Sequence, residues 1–213
     1  MTISPNITLK ILTREDLYQV ALVHSMAFDD SALTKLGIEP IRRYYEWQLT
    51  GPHECHAIGA FDSKDSLVGF CFAGVFHGSL SGFLKHNRRF LTWWILTHPW
   101  KITNPLVMDR LKQAIGVLRH KPSTNTRVSV QSKRSYGILS IAVDPKMQGY
   151  GVGRLIMKNV KDDAIKKGFT EMGLTVHPTN INAILFYEKN GWVKINNNRE
   201  VEWAGRMLLP LHQ

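Results

Sequence analysis

The chain has 213 residues, 44% hydrophobic and 21% charged, which suits one globular domain with a sizeable core. No apolar run of about 18 residues occurs, and the N-terminus lacks the basic and apolar regions of a secretory signal, so we expect a cytoplasmic protein without a spanning helix. Cys55 and Cys71 belong to no CxxC motif and no zinc-spaced cluster. We therefore expect two reduced thiols and no metal site.

The net charge of +10 belongs to one segment of the chain. Residues 77–134 contain eleven lysines and arginines and one acid, Asp109, whereas basic and acidic residues balance in the rest of the chain. The high basicity is therefore a property of this segment and not of the whole surface.

The first 75 residues predict a strand, two helices and a hairpin. Residues 7–12 alternate like a strand, and Thr13 is typical of a helix N-cap. The helix that follows would carry Leu17, Val20, Ala21 and His24 on one face. A second helix is expected over 41–49, and the apolar runs 55–61 and 67–75 flank a polar turn, which is typical of a hairpin.

Residues 77–134 form an insertion longer than an ordinary loop, and they predict two amphipathic helices. The second of these would begin at Asn104–Pro105. The expected apolar faces comprise Leu80, Phe83, Leu84, Leu91, Trp94 and Ile95 in the first helix, and Val107, Leu111, Ala114, Ile115 and Leu118 in the second.

Four roles for this basic insertion are open. The two helices could form a lid over an acceptor pocket. Their apolar faces, with Trp93, Trp94 and Trp100, could instead contact a membrane surface while arginines face anionic headgroups. A homodimer contact is a third role. Nucleic-acid binding is the fourth, but no recognised nucleic-acid module is present, so we expect none.

The C-terminal part predicts a parallel βαβ unit followed by further elements. A buried strand over 137–143 leads to a helix over 152–167, closed by Gly168, and then to a strand over 171–176. A helix over 180–189 and a terminal hairpin complete the order. The whole chain, 1–213, is therefore expected to be one mixed α/β domain, with a central mixed sheet of about six to seven strands flanked by helices.

A glycine-rich turn, DPKMQGYGVGRL, joins the strand and helix of this βαβ unit. Gly149, Gly151 and Gly153 allow positive φ angles and close approach of a ligand to backbone N–H groups, at the positive end of a helix dipole. Such a turn is typical of an anion site, most often for phosphate. The Gly-Lys-Ser/Thr of a P-loop and the G-x-G-x-x-G of a dinucleotide fold are both absent.

The two blocks LSIAVDPKMQGYGVGRLIMKNV and VHPTNINAILFYEKNGWVKI resemble the GNAT superfamily of acyl-CoA-dependent N-acyltransferases. The resemblance covers about residues 137–195 and implies acetyl-CoA as co-substrate. By resemblance, the pyrophosphate of coenzyme A would meet Gln148, Gly149, Tyr150, Gly151, Val152, Gly153 and Arg154, and the pantetheine arm would meet Ile141, Ala142 and Val143. Asn180 falls where the family has a cofactor-contacting asparagine, although a plain helix cap is the alternative.

The resemblance also places Tyr187 where a phenol could protonate the departing thiolate, against the alternative that this ring is only packed. Many family members have a glutamate base on the strand before the glycine turn, but residues 136–140 contain no acid. His177 is the first candidate for the base, and Asp29, Asp30 and Glu54 are further candidates. We expect direct transfer, without Cys55 or Cys71 as a nucleophile.

These features predict an N-acetyltransferase acting on a primary amine of a small molecule. An anionic or lipid-linked acceptor, such as an amino sugar, would suit the basic insertion. The alternative is a non-catalytic domain that binds acyl-CoA as a sensor or scaffold. The missing carboxylate favours this alternative, and Tyr187 disfavours it.

Overall fold

A computed structural model describes residues 6–101, 107–108, 135–196 and 203–211. The described strands are β1 (Thr8–Ile11), β2 (Glu54–Phe61), β3 (Leu67–Val75), β4 (Tyr136–Val143), β5 (Glu171–Thr175), β6 (Val193–Lys194) and β7 (Arg206–Pro210). The described α-helices are α1 (Leu17–Ala27), α2 (Ala32–Leu36), α3 (Ile38–Thr50), α4 (Ser79–His86), α5 (Arg88–Thr97), α6 (Val152–Lys166) and α7 (Ile181–Lys189).

The strands form one seven-stranded sheet in the order β1-β2-β3-β4-β5-β7-β6. Strands β4 and β5 pair in parallel, and the other neighbours pair antiparallel. A mixed sheet flanked by helices is thus confirmed, and so is the parallel βαβ unit. The terminal hairpin also forms, but β7 lies between β5 and β6 because its register matches β5 along all five residues.

Helices cover both faces of the sheet. On one face, α6 and α7 bury Ile156, Val160 and Ile184 in the same cluster as Ile58 and Cys71. On the other face, α1 and α3 bury Leu17, Val20, Ala21, Ile41 and Tyr45 against Phe70 and Phe72. Every residue of β3 is buried, which explains why its sequence is continuously apolar and does not alternate.

The first helices differ in detail from the sequence prediction. Thr13 does not cap α1; the Asp16 carboxylate instead accepts hydrogen bonds from the Thr13 N–H and hydroxyl, and the helix begins at Leu17. The next predicted helix is longer, and a short extra helix, α2, precedes it. Ser31 caps α2 by accepting the Thr34 N–H at 3.0 Å. Serine side chains compete for backbone donors in this way, which the hydrophobic pattern does not reveal.

The described part of the basic insertion packs on α2 and α3. Gly82 of α4 lies directly against the Trp47 ring, and the Trp94 indole of α5 donates to the Leu36 carbonyl at 3.1 Å. Trp93 and Leu96 remain exposed. Val107 and Met108 are helical, but the remaining residues of the predicted second helix lie outside the described residues.

Within the described ranges, no helix combines the length and the apolar character that a membrane span requires.

A β-bulge in β4 controls which residues face each layer. Ile138 pairs with Ala73 and Ser140 pairs with Phe72, so Leu139 is an extra residue on β4. Ile138 belongs to the cluster under α6 and α7, as does Ala73, whereas Phe72 belongs to the cluster under α1 and α3. The bulge therefore turns Ser140 toward α1 and α3, where strict alternation from Ile138 would have placed it on the opposite face.

Candidate active site

The candidate site is a cleft where β4 and β5 separate. These strands pair only at Tyr136 with Met172 and at Gly137 with Gly173, next to the bulge. Beyond those pairs lies a cleft of about 550 Å³. Its walls include Ile138, Leu139, Leu174, Thr175 and Arg206. In the part of the chain that the structure describes, the β5-facing edge of β4 from Ile141 to Val143 has no strand partner, so it can accept an extended ligand arm as an added strand.

The glycine turn lies at the end of this unpaired edge. Gly149 and Gly151 have φ angles of 84° and 82°, and an added Cβ at either would meet no protein atom within 4 Å. The first helical bond of α6 is made by the Leu155 N–H to the Gly151 carbonyl. The backbone N–H groups from Gly149 to Arg154 have no acceptor among the described residues, so they are available to an anion.

The other predicted cofactor residues of this turn differ in their surroundings. Gln148, Tyr150 and Arg154 are exposed, and the Gln148 side chain donates a long hydrogen bond of 3.4 Å to the Val143 carbonyl. Val152 is buried in the core. A Cβ at Gly153 would come within 3.3 Å of the Phe186 ring, so this glycine lets α6 pack closely on α7.

Tyr187 lies on α7, and Asn180 lies at the start of this helix. Tyr187 is 8% exposed, and burial beside the Cys71 thiol raises the pKa of its phenol, which is therefore a neutral proton donor at physiological pH. No hydrogen bond among the described residues involves its hydroxyl. Asn180 is the N-cap of α7, with its Oδ1 accepting the Ala183 N–H at 3.1 Å. Its amide Nδ2 has no partner in the described part of the chain.

The base candidates lie at several places around the sheet. His177 follows β5, is exposed, and its Nδ1 lies 2.8 Å from the Thr179 hydroxyl; no described hydrogen bond joins it to Tyr187 or β4. Asp29 and Asp30 are exposed in the loop before α2, and Asp30 pairs with Lys35. Glu54 begins β2, at the end of the sheet away from the glycine turn.

Both cysteines are poor nucleophiles. Burial raises the pKa of Cys55 to about 12 and raises that of the fully buried Cys71 even further. A thiol attacks as its thiolate, which both sites disfavour. This supports the expectation of direct transfer.

No group of three or more His, Cys, Asp or Glu side chains in the described ranges could hold a metal ion.

A buried polar chain beside the cleft was not predicted from the sequence. The Tyr45 hydroxyl donates to Ser140 Oγ at 2.9 Å and lies 2.8 Å from His24 Nδ1. The signals were present: Ser140 interrupts an apolar strand, and His24 lies on the apolar face of α1. The bulge that brings Ser140 to Tyr45 has no such signal.

Comparisons with known proteins agree on one family. Residues 23–192 match the sequence model of the acetyltransferase (GNAT) family. A curated relative, the [ribosomal protein bS18]-alanine N-acetyltransferase of Escherichia coli, is 36% identical over 55 residues, which are 26% of this chain and 37% of that protein. This match thus spans little more than a third of the relative's length.

Solved structures share the fold at low sequence identity. The crystal structure of the same Escherichia coli enzyme has a TM-score of 0.56 at 15% identity, covering 97% of this chain and 95% of that one. The PaiA N-acetyltransferase of Thermoplasma acidophilum, in complex with coenzyme A, has a TM-score of 0.57 at 14% identity, covering 96% and 99%. A glucosamine N-acetyltransferase region of a fungal multi-domain β-N-acetylglucosaminidase gives 0.56 at 15% identity, covering 92% of this chain and 18% of that one. The chain belongs to the acetyltransferase (GNAT) family, whose co-substrate is acetyl-CoA.

Proposed function

We propose that this protein transfers the acetyl group of acetyl-CoA directly to the primary amine of a small molecule. The observation that carries the proposal is the cleft itself. The edge of β4 from Ile141 to Val143, unpaired among the described strands, ends at a turn whose N–H groups are available to an anion, and the neutral Tyr187 phenol lies in the adjoining core. This arrangement suits a ligand with an extended arm, a pyrophosphate and a thioester.

Different residues would bind the co-substrate and donate the proton to the leaving group. The turn from Gln148 to Arg154 would bind the pyrophosphate, and Asn180 Nδ2 is available to the same ligand. The amine nitrogen attacks the thioester carbonyl carbon, the C–N bond forms and the C–S bond breaks. Tyr187 gives its proton to the departing sulfur, and the nitrogen loses one proton, so the products are an amide and a free thiol.

Charge supports an anionic acceptor, such as a phosphorylated amino sugar. Arg206 lines the cleft, and the described part of the basic insertion packs on α2 and α3, in the layer toward which Ser140 points. A guanidinium beside the cleft favours a negatively charged acceptor over a neutral one. A lipid-linked amine would have the same advantage if the insertion contacts a membrane surface.

A second candidate acceptor is the N-terminal amine of a protein. It is favoured by the local sequence match to an enzyme named for acetylating an alanine of a ribosomal protein. The two candidate acceptors carry the amine on different groups, a sugar ring and a peptide N-terminus. A panel of amines that contains both kinds therefore distinguishes them.

The test is release of free coenzyme A thiol from acetyl-CoA with glucosamine, glucosamine 6-phosphate and a short alanine-led peptide. The proposal predicts turnover of the amino sugars, with a lower KM for the phosphorylated one. Turnover of the peptide alone would favour a protein acceptor. Acetyl-CoA binding without thiol release in any arm would contradict the enzyme and favour the sensor.

A further inference from the structure

The strand that would hold the thioester has no carboxylate base, yet it carries one end of a continuous buried chain of polar groups. Ser140 Oγ is 2.9 Å from the Tyr45 hydroxyl, which is 2.8 Å from His24 Nδ1. His24 Nε2 is 3.4 Å from Ser31 Oγ, in the N-cap of α2. The chain links β4, α3 and α1 to the loop before α2, where Asp29 and Asp30 are exposed.

Ser140 is the member of this polar chain that adjoins the cleft, because it follows the cleft-lining residues Ile138 and Leu139 on β4. Ser140 is only half-buried, follows the bulge at Leu139, and lies beyond the last residue at which β4 pairs with β5. Tyr45, in contrast, has no exposed surface and is enclosed by Phe70 and Phe72. Tyr45 itself therefore cannot touch an acceptor amine, whereas the half-buried Ser140 on β4 can.

We propose that Ser140, Tyr45 and His24 form a proton relay that carries the amine proton from the cleft to the loop at Ser31. The proposal rests on the proposed acetyl transfer and supplies the base that it lacks. Ser140 is the catalytic residue, because it would touch the amine. Tyr45 and His24 act through it.

The proton balance closes without any further reactant. As the C–N bond forms, the amine N–H proton moves to Ser140 Oγ, the serine proton moves to the Tyr45 oxygen, and the tyrosine proton moves to His24 Nδ1. This direction is the reverse of the hydrogen bond in the structure, where Tyr45 donates to Ser140, so both hydroxyl hydrogens rotate before the transfer. The imidazole then releases its Nε2 proton toward Ser31 and solvent. One proton has left the amine, and each hydroxyl of the relay again carries one. The imidazole is left as its Nδ1–H tautomer and returns to the Nε2–H tautomer by proton exchange with solvent, and the Tyr187 phenolate regains its proton from solvent.

Burial lowers the pKa of His24 to about 4, so its ring does not retain a proton at neutral pH. Burial also raises the pKa of Tyr45 well above its ordinary value, so its phenol stays protonated between turnovers. These directions suit groups that pass a proton on rather than store it.

The test uses the 213-residue protein, saturating acetyl-CoA and the amine of the panel above that the wild-type protein acetylates fastest. Ser140→Ala and Tyr45→Phe should each lower kcat about 100-fold, the lower end of what a positioned acid–base group contributes, and leave the KM for acetyl-CoA unchanged. The double variant should be no slower than either single variant, because both break one relay. Ser140→Thr keeps the hydroxyl and should keep most of the rate.

Tyr44→Phe is the matched control. Tyr44 is the adjacent tyrosine on α3. Its hydroxyl lies 3.4 Å from Ser79 Oγ and is not part of the proposed proton relay. This variant should turn over like the wild type, and melting temperature and acetyl-CoA affinity establish that each variant is folded.

Unchanged kcat in folded Tyr45→Phe or Ser140→Ala, or losses that multiply in the double variant, would overturn the relay alone. If the wild-type protein acetylates no amine, the proposed function fails and the relay fails with it.

Discussion

The two buried tyrosines with proposed roles lie on opposite faces of the sheet. Tyr187 belongs to the layer of α6 and α7, and Tyr45 belongs to the layer of α1 and α3. Burial raises the pKa of both phenols, so both keep their protons at neutral pH. Their partners differ: Tyr45 is hydrogen-bonded at both sides, whereas no described hydrogen bond involves the Tyr187 hydroxyl. Only Tyr187 is therefore free to give a proton to a new group.

Replacing Tyr187 by phenylalanine keeps the packed ring and removes the proton donor. We expect kcat to fall about 100-fold, while the affinity for acetyl-CoA stays unchanged because the ring still packs on Trp192. Thiol release under saturating acetyl-CoA measures the first quantity, and calorimetry measures the second. Tyr18→Phe, on the exposed face of α1, is the control. A fully active Tyr187→Phe would leave this tyrosine a purely structural role.

His24 should make the stability of the fold depend on pH in a defined window. Its folded pKa of about 4 lies below the ordinary value of 6.5, so between these values the unfolded chain binds a proton that the folded chain excludes. Stability due to this group therefore falls as pH drops from about 6.5 to 4, by about 3 kcal/mol in total, and is unaffected above pH 7.

Denaturant unfolding across pH 4–8 tests this dependence. His24→Gln removes the titrating group, so its stability should decline less than that of the wild type below pH 6.5. Parallel curves for the two proteins would contradict the assignment.

At the scale of elements, the glycine turn combines a conformational requirement with an open surface. Gly151 and Gly168 have nearly equal φ angles of 82° and 80°, and neither has a protein atom within 4 Å of an added Cβ. They flank the same helix, α6, but only Gly151 lies in the turn that follows the unpaired edge of β4. They form a matched pair for separating backbone strain from ligand contact.

Gly151→Ala and Gly168→Ala should each cost about 1–2 kcal/mol of stability, because alanine disfavours this left-handed backbone. Only Gly151→Ala should also weaken acetyl-CoA binding, since its methyl group would project into the space that a phosphate needs. Calorimetric affinity and denaturant unfolding measure the two effects. Equal affinities in both variants would show that the turn does not contact the co-substrate.

Most elements and their order could be predicted from hydrophobic periodicity, and so could the glycine turn, but the short helix α2 and the division of the first insertion helix into α4 and α5 could not. The details that complete the site could not. The bulge at Leu139 changes the register of one strand by one residue, and no residue type in YGILSIAV marks it. The contact between Tyr45 and Ser140 joins residues 95 positions apart, which no local pattern encodes. The role of Asn180 as a cap, in contrast, follows directly from its place before a helix.

At the scale of the whole molecule, the described part of the insertion packs against the half of the protein that would receive the acceptor. Arg43 of α3 stacks on Phe90 at 4.1 Å, and the Lys101 ammonium donates to the Lys35 carbonyl at 3.3 Å. The residues expected to contact acetyl-CoA all lie outside this segment. Binding of the two substrates should therefore depend on the insertion to different degrees.

A variant lacking residues 78–132 tests the lid role. We expect it to bind acetyl-CoA with nearly normal affinity and to lose turnover of its acceptor, as measured by calorimetry and thiol release. A stable deletion variant that keeps full turnover would contradict the lid. Sedimentation of the full chain with anionic vesicles tests the membrane role separately, and failure to sediment would contradict that role.

Among the described residues, two pairs, Tyr136 with Met172 and Gly137 with Gly173, are the only strand pairs that connect β1–β4 to β5–β7 within the sheet. The two parts of the sheet, β1–β4 and β5–β7, are thus hydrogen-bonded to each other at one end, and β4 and β5 separate at the other. A co-substrate hydrogen-bonded along β4 and packed against β5 would connect the two parts where these strands separate. We expect acetyl-CoA to slow amide hydrogen exchange in both parts together, so that the protein gains rigidity from its own substrate at the moment when the reacting groups must be held in place.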